Sequence, residues 1–316
     1  MSEHRARGEA TPAWRRRWKE NALLFSLLVH PSKSRAHRVY ELVSTENLVT
    51  ERSLYLNLGY WKDAPSTLDD ACDAMAVLLA QRARLSADDR VLDVGFGFGD
   101  QDLFWMDRYA PRHITGLNVT AFQVQAAQQR VAERGLADRI DLRHGSATDI
   151  PLEDGSIDKV LALECAFHFK TRDRFFAEAC RVMRPGGRLA LTDIVPLPRD
   201  GKLGLKGKLT EYVGRAFWQI CAENMYDRVE YAERLARAGF ENIDVVSLHD
   251  EVMEPFARFT LRRMSEPDVI ARLNPSLRAM FVETAKTTLE KPPDVARFDY
   301  VLAVADKPGQ ERVRGM

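Results

Sequence analysis

The chain has 316 residues, which is enough for one α/β domain with additional segments or for two small domains. Lysine plus arginine number 46 and aspartate plus glutamate also number 46, so the formal net charge is zero and gives no reason to expect a nucleic-acid partner. No apolar run reaches the ~20 residues that span a bilayer and no cysteine pair has the spacing of a zinc site, so we expect a cytoplasmic protein with free thiols and no metal site.

The first predicted element is a basic amphipathic extension over residues 1–34. Its apolar residues, among them Trp14, Trp18 and Phe25, recur at helical spacing. A basic helix that carries tryptophans can lie in a membrane interface, and such a helix can equally pack over the main domain. Both interpretations stay open, with residues 12–30 as the segment that would contact a membrane or a partner.

Residues 35–87 are predicted to form a helical cap. They comprise a helical stretch over about 35–52, an aromatic segment that ends at Tyr60 and Trp61, and a helix over about 68–84. Thr67 or Ser66 is the expected N-cap of the last helix, because a hydroxyl oxygen there can accept a hydrogen bond from a free backbone N–H.

Residues 88–198 alternate between strand and helix patterns and form the predicted core. We place strands at about 90–95, 113–118, 140–144, 157–163 and 187–195, and helices at about 99–109, 120–135 and 171–183. The turn at 184–187 should stop the last of these helices and start the next strand. Strands joined by helices predict an α/β fold with a mostly parallel sheet and helices on both faces.

The alternation breaks at residues 199–226, which we expect to form an inserted helical lid over an acceptor pocket. Aromatic residues in this segment, such as Tyr212 and Trp218, favour an apolar or ring-bearing ligand. Residues 227–316 are expected to complete the core with a helix at about 228–238, a strand at about 242–248, helix across about 251–290 and a final strand at about 298–305.

The most informative motif ends the first core strand, where Asp93 is followed by Gly95, Gly97 and Gly99. Glycine removes the Cβ and lets the backbone pass close to a ligand. A dinucleotide site needs a further glycine at the next position, but Asp100 stands there, and we expect its charge to repel a pyrophosphate. The spacing instead favours a methionyl nucleoside, which carries a cationic amino group and no phosphate.

Ligands of a parallel α/β sheet bind at the carboxyl ends of the strands, so the residues that follow each strand are candidate ligand contacts. Asn118 can bond the hydroxyls of a ribose, although it could instead cap the next helix. The candidate cofactor contacts are Asp93, Gly95, Gly97, Gly99, Gln101, Asn118, Val119, Gln123, Ser146, Ala147, Leu163, Glu164, Tyr60 and Trp61.

The motifs of residues 88–196, in this order and spacing, resemble the class I S-adenosylmethionine (SAM)-dependent methyltransferases, which have a Rossmann-like fold. More narrowly, Leu163–His168 and Thr192–Asp193 resemble the small-molecule branch with the rebeccamycin-type sugar O-methyltransferases and the sarcosine/dimethylglycine, tocopherol and sterol methyltransferases. The resemblance implies SAM as cofactor, with Tyr60 and Trp61 folded over it. Ser146 departs from the family, which usually has an acid at this position, and Trp61 could instead be a core anchor.

The resemblance also implies that His168 is the general base, with Asp193 beside it to orient the ring. An imidazole, whose pKa is ordinarily near 6.5, can take the proton of a hydroxyl acceptor at neutral pH. The alternative is a packed histidine between two phenylalanines, and Glu164 could likewise be a structural group.

We therefore expect a SAM-dependent methyltransferase of natural-product biosynthesis that acts on a small, lipophilic or ring-bearing acceptor. O-methylation with His168 as base is the leading interpretation. C-methylation of an alkene or isoprenoid would instead use the carboxylates of Glu164 and Asp193, and a non-catalytic SAM-binding partner subunit is the third alternative. The sequence does not identify the acceptor or the oligomeric state.

Overall fold

The computed structural model describes residues 17–23, 25, 49–198, 204–217, 220–292 and 295–309. Residues 17–23 are helical. Of the predicted helix over 35–52, residues 35–48 lie outside the described residues, and residues 49–52 are not helical. Trp14 and Trp218 also lie outside the described residues.

The described elements follow the predicted alternation of strands and helices. The helices are α1 (Leu68–Ala83), α2 (Asp100–Tyr109), α3 (Ala121–Glu133), α4 (Arg172–Val182), α5 (Leu205–Phe217), α6 (Arg228–Arg237), α7 (His249–Arg263), α8 (Pro267–Arg272) and α9 (Pro275–Glu290). The strands are β1 (Arg90–Val94), β2 (His113–Asn118), β3 (Ile140–His144), β4 (Ile157–Leu163), β5 (Met183–Pro196), β6 (Glu241–Ser247) and β7 (Phe298–Asp306). Short 3-10 turns, Ala166–His168 and Ala222–Asn224, follow β4 and α5.

The strands form one seven-stranded sheet in the order β3-β2-β1-β4-β5-β7-β6. Strands β1 to β5 pair in parallel, whereas β7 runs antiparallel to both β5 and β6. The predicted α/β fold with a mostly parallel sheet is confirmed. Because β1, β2, β4 and β5 are parallel, their carboxyl ends meet at one edge of the sheet, which is where ligands of such sheets bind.

Helices cover both faces of the sheet. On one face α1, α2 and α7 contribute Met75, Trp105 and Val252 to a buried apolar cluster. On the other face α4 and α6 contribute Phe175 and Tyr231 to a second cluster. Since the central strands are buried between these two layers, their sequences are almost continuously apolar.

Local residues explain where the helices begin and end. Oγ1 of Thr67 accepts a hydrogen bond from the backbone N–H of Asp70 over 3.1 Å, which caps α1 as expected. The predicted helical stretch over 251–290 is divided into α7, α8 and α9. Pro267 and Pro275 stand in the first turns of α8 and α9, where a missing N–H costs no helical hydrogen bond.

Strand β5 begins earlier than the sequence pattern indicated. Met183 already pairs with Ile157, and the register then shifts before Arg188 pairs with Lys159. Gly186 has a φ angle of 78° within this irregular stretch. The predicted turn at 184–187 is thus a distortion inside β5 and not a break before it.

The helical residues 17–23 contact the junction of α8 and α9. The amide Nδ2 of Asn274 donates to Oε2 of Glu20 over 3.0 Å and to Oδ1 of Asn21 over 3.1 Å. Trp18 and Phe25 are 71% and 67% exposed, and the contact of residues 12–30 with a membrane or partner stays a prediction. Among the described residues no helix is both long and apolar enough to cross a bilayer.

Candidate active site

The loop between β1 and α2 requires glycine for its backbone conformation. Gly95, Gly97 and Gly99 have φ angles of 77°, 57° and 79°, a region that residues with a Cβ rarely adopt. A Cβ on Gly95 would lie 2.6 Å from both Cβ and Sγ of Cys165, which follows β4. The glycine loop and the connection after β4 are therefore in direct contact.

Asp93 and Asp102 are buried near this loop together with Gln101. The amide Nε2 of Gln101 donates to Oδ2 of Asp93 over 3.0 Å. Oδ1 of Asp93 and both carboxyl oxygens of Asp102 have no hydrogen-bond partner among the described residues. Burial, and then the charge of Asp102, raise the pKa of Asp93 well above its ordinary value, and burial raises the pKa of Asp102 to about 7. A cation bound here would favour their ionised forms.

Asp100, the residue that stands in place of a further glycine, pairs with an arginine. Two nitrogens of the Arg130 guanidinium donate to its carboxylate oxygens, over 2.7 and 2.9 Å. Arg130 also donates to the carbonyl of Phe98 in the glycine loop over 2.6 Å. A bidentate pair of this kind neutralises the carboxylate and fixes geometry, so Asp100 and Arg130 join the glycine loop to α3.

Residues 54–61, the aromatic segment, run along the same edge of the sheet. The backbone N–H of Leu54 donates to Oδ1 of Asp100 over 3.2 Å. Cδ1 of Leu56 lies 3.2 Å from the position that a Cβ on Gly97 would take. The aromatic segment thus lies against the glycine loop.

Trp61 anchors the aromatic segment in the protein interior. Its indole N–H donates to the carbonyl of Leu58 over 2.8 Å, and its ring centroid lies 5.0 Å from that of Phe259 on α7. This is the core-anchor role considered above as an alternative. Tyr60 is partly buried and packs against the core on the α1 face of the sheet. Contact of either ring with a cofactor stays a prediction.

Asn118, at the end of β2, turns its side chain toward the glycine loop. Its Nδ2 donates to the carbonyl of Gly97 over 3.2 Å and to Oε1 of Gln123 over 3.0 Å, and its Oδ1 accepts from the N–H of Thr120 over 3.3 Å. Nε2 of Gln123 is buried without a partner among the described residues. Val119 is exposed beside them. The three predicted contacts Asn118, Val119 and Gln123 therefore lie together next to the loop.

Ser146 closes a turn after β3. Its hydroxyl lies 2.9 Å from Oγ1 of Thr148 and accepts a hydrogen bond from the N–H of Thr148 over 3.2 Å. Ala147 is buried in the core on the α4 face of the sheet. The hydroxyl of Ser146 thus stabilises its own turn, and its contact with an adenine ring stays a prediction.

Glu164, directly after Leu163 at the end of β4, has a φ angle of 53°. Its Oε2 accepts from the N–H of Leu58 over 2.8 Å and from the phenol of Tyr300 over 2.8 Å. Burial raises its pKa to about 8, although these two hydrogen bonds favour the ionised form. The carboxyl group therefore links the aromatic segment to β4 and β7, which is the structural role considered above.

His168 lies in the 3-10 turn that follows Glu164. Its N–H donates to the carbonyl of Cys165 over 3.1 Å, and its ring centroid is 4.0 Å from that of Phe167. Phe167 is buried, whereas His168 is only partly buried. The turn begins at Cys165, whose thiol donates to the carbonyl of Val94 over 3.0 Å. His168 is therefore held at the sheet edge that carries the glycine loop.

The carboxylate of Asp193 binds a buried arginine, which the sequence analysis did not predict. Nε of Arg172 and the phenol of Tyr231 donate to its Oδ2 over 2.7 and 3.0 Å, and the N–H of Ile194 donates to its Oδ1 over 2.8 Å. Burial raises the pKa of Asp193, while the Arg172 charge acts in the opposite direction. Both oxygens of Asp193 thus serve this network, and its role as the partner that orients His168 stays a prediction.

Sequence reasoning missed three residues of the site: Arg172, Asn224 and Tyr300. Arg172 is the first residue of α4, where a positive charge opposes the helix dipole, and that conflict is a signal for a buried acidic partner. Tyr300 interrupts an apolar strand and needs a partner for its hydroxyl. Nothing in the sequence marks Asn224.

The donor and acceptor groups at this edge fit SAM. Unpartnered buried atoms, Oδ1 of Asp93 and Nε2 of Gln123, suit a cationic amino group and a nucleoside. The positive-φ glycines leave no side chain between the loop and a ligand. Among the described residues no cluster of three His, Cys, Asp or Glu side chains is placed to hold a metal ion.

The family described as "Methyltransferase domain" matches residues 92–191. The erythromycin 3''-O-methyltransferase of Saccharopolyspora erythraea is 37% identical over 287 residues, which cover 89% of this chain and 92% of that protein. The 27-O-demethylrifamycin SV methyltransferase of Amycolatopsis mediterranei is 33% identical over 189 residues, which cover 59% of this chain and 66% of that protein. The similarity to the first relative extends well beyond the matched domain.

Among solved structures, the (4+2)-cyclase SpnF superposes with a TM-score of 0.68 at 27% sequence identity, and the alignment covers 87% of this chain and 98% of that chain. Other solved structures with this fold hold SAM or S-adenosylhomocysteine. The fold thus occurs in proteins that bind this nucleoside.

Proposed function

This chain belongs to the class I SAM-dependent methyltransferases that act on small natural products, and from this premise we propose that it methylates a hydroxyl oxygen with His168 as general base. The observation that carries the proposal is the position of the His168 turn. The turn starts at Cys165, in contact with the glycine loop, so the imidazole belongs to the same edge of the sheet as the cofactor residues.

SAM supplies an electrophilic methyl group on a sulfonium centre when it is bound. Asp93 and Gln101 would bind the amino end of the cofactor, and Asn118, Val119 and Gln123 its nucleoside end. Methyl transfer requires mainly that the acceptor is held in line with this methyl group, so binding geometry supplies much of the catalysis.

His168 would accept the proton of the acceptor hydroxyl at a ring nitrogen while the oxygen forms its bond to the methyl carbon. Base catalysis of this kind contributes about 100-fold to 10,000-fold. The bond between the methyl carbon and sulfur breaks, and the proton leaves later from the imidazolium to solvent. In this scheme the carboxylate of Asp193 binds Arg172, and we assign no proton transfer to it.

The contacts of the two carboxylates favour O-methylation over the C-methylation alternative. A carbocation would need an ionised carboxylate beside it. Asp193 is fully buried and paired with Arg172. Burial raises the pKa of Glu164 to about 8, which disfavours its ionised form. The name of the 37% identical relative, a 3''-O-methyltransferase, supports the same choice.

We propose that residues 199–226 form the lid of the acceptor pocket. Within this segment Leu205, Leu209 and Tyr212 of α5 are exposed and recur at helical spacing, so they offer an apolar face to a lipophilic acceptor. The acceptors named for the two relatives, erythromycin and rifamycin derivatives, indicate the class of molecule. A cytoplasmic location fits the four unpaired cysteines.

The test is methyl transfer from labelled SAM to two acceptors, the 3''-O-demethyl form of erythromycin and 27-O-demethylrifamycin SV, and to extracts if neither accepts. We expect His168→Ala to lower the rate at least ~100-fold while the affinity for S-adenosylhomocysteine stays the same. His113→Ala is the matched control, because His113 begins β2 at the opposite edge of the sheet. An unchanged rate in His168→Ala would remove His168 as the base.

A further inference from the structure

We infer that Asn224 is a positioning residue that fixes the His168 turn to the end of the lid; the catalytic part of this inference rests on the proposed function. Asn224 closes the 3-10 turn after α5 and is 1% exposed. Its side chain reaches across to the turn that follows β4. Asn224 is neither in the glycine loop nor among the motifs that the sequence analysis identified.

The side-chain amide of Asn224 binds carbonyl groups before and after His168 in its turn. Nδ2 donates to the carbonyls of Phe169 and Phe167 over 2.8 and 3.2 Å and approaches that of Ala166 at 3.5 Å. These carbonyls flank His168 on both sides. With two N–H groups directed at them, Asn224 restrains the turn before and after the histidine.

The other end of the amide connects to the buried arginine. Oδ1 of Asn224 accepts from the backbone N–H of Arg172 over 3.0 Å. The guanidinium of Arg172 donates in turn to the backbone carbonyl of Asn224. Arg172 is in turn paired with Asp193 on β5. We call this set, Asn224 with Arg172 and Asp193, the Asn224 clamp.

The Asn224 clamp ties three elements to one another: the His168 turn, the end of the lid segment and β5. A second contact joins the first two, because the N–H of Cys221 donates to the carbonyl of Phe167 over 3.3 Å. The residues that would cover the acceptor and the residue that would take its proton thus share one anchor. This arrangement makes the distance between base and acceptor depend on Asn224.

The test compares Asn224→Asp and Asn224→Ser with Asn274→Ser in the full-length protein. Asn224→Asp keeps an oxygen for Arg172 but removes both N–H groups, and Asn224→Ser removes the amide. Asn274 is an equally buried asparagine at the start of α9, and its side-chain amide donates to Glu20 and Asn21 and not to the His168 turn. The readouts are amide hydrogen exchange of residues 165–171, and the ring-proton resonance of His168, assigned with His168→Gln.

We expect exchange at 165–171 to become at least ~10-fold faster in both Asn224 variants, because both lose hydrogen bonds that hold the turn closed. We also expect the His168 resonance to shift, since its ring lies 4.0 Å from the Phe167 ring and senses any change in their stacking. Methyl transfer should fall ~10-fold to ~100-fold at an unchanged affinity for S-adenosylhomocysteine. Asn274→Ser should alter none of these.

Exchange and resonance that stay as in wild type in both Asn224 variants would overturn the inference, whatever the transfer rate. A shifted resonance with an undiminished transfer rate would overturn its catalytic part. Failure of the proposed function has a different signature, namely a full transfer rate in His168→Ala.

Discussion

The phenol of Tyr300 on β7 donates to Oε2 of Glu164 at the end of β4 over 2.8 Å, and the same phenol lies 3.1 Å from Oγ1 of Thr192 on β5. Since Glu164 also accepts from the N–H of Leu58, its carboxyl group joins the aromatic segment to β4 and β7, and the Tyr300 phenol extends this link to β5. The Glu164 side chain thus holds the aromatic segment at the edge of the sheet where the candidate cofactor contacts lie.

Glu164 should make the stability of the protein fall as the pH rises. Burial raises its pKa from 4.5 to about 8 in the folded state, so between these values the folded protein keeps a proton that the unfolded chain loses. The free energy of unfolding therefore decreases from about pH 4.5 to about pH 8, and above about pH 8 the contribution of Glu164 no longer changes with pH. In Glu164→Gln the decrease should be smaller, and Tm relative to wild type should rise by a few degrees across that window.

Thermal unfolding at several pH values measures this difference. Glu153→Gln, at an exposed glutamate of the β3–β4 connection, is the control and should follow wild type. If the Tm of Glu164→Gln and the Tm of wild type change in parallel with pH, Glu164 does not hold the extra proton in the folded state.

Gly95→Ala should disrupt the glycine loop, whereas Gly135→Ala should be tolerated. Both residues have positive φ angles, 77° and 65°, so both substitutions add a backbone strain of about 1–2 kcal/mol. A Cβ added at Gly95 would lie 2.6 Å from atoms of Cys165, whereas no atom lies within 4 Å of a Cβ added at Gly135. We expect a further loss of about 1–3 kcal/mol in Gly95→Ala together with loss of SAM binding.

Urea unfolding and calorimetric titration with S-adenosylhomocysteine check this pair of variants. Equal losses of stability in the two variants would show that the contact with Cys165 is not the cause.

Arg172→Met should be more harmful than the same change made together with Asp193→Asn. Both charged side chains are fully buried, and removal of one partner of such a pair leaves an uncompensated charge that costs about 3–5 kcal/mol. The double variant removes both charges and should recover part of that loss. The measurement is the free energy of unfolding of the two single variants and the double variant, and simple additivity would argue against direct coupling.

SAM or S-adenosylhomocysteine should raise Tm, and NAD should not. A ligand at 100 times its Kd adds about 2.7 kcal/mol to the free energy of unfolding. Asp93→Asn should reduce the shift, because the variant loses the carboxylate that would face the cationic amino group. An equal Tm shift with NAD would contradict the choice between the two cofactors.

The sequence predicted β1 and β4 well because most of their residues are apolar and buried, and Gly95 or Glu164 directly follows the strand. The start of α1 at Thr67 and the glycine conformations could be derived from single residues and their neighbours. The start of β5 could not, because the irregular pairing of Met183 depends on Ile157, a residue far away in the chain. Pro267 and Pro275 mark the division of the 251–290 stretch in the sequence, because proline is favoured in the first turn of a helix.

The side-chain partners in the site were less predictable than the backbone. Asp193 and Asp100 were expected at the ligand edge, and each binds an arginine, Arg172 or Arg130, that the fold brings from another element. Asn224 contacts a turn more than fifty residues earlier. Such pairings depend on the packing of helices on the sheet, which no local pattern reports.

The placement of β7 between β5 and β6 has a consequence for synthesis on the ribosome. Strands β1 to β5 can pair as they emerge, but among the described strands β6 pairs only with β7 and must wait until α7, α8 and α9 have been made. During that interval the outer edge of β5 is unpaired, and so is β6. Nascent chains stalled before residue 298 should therefore be a favoured substrate of chaperones that cover exposed strand edges.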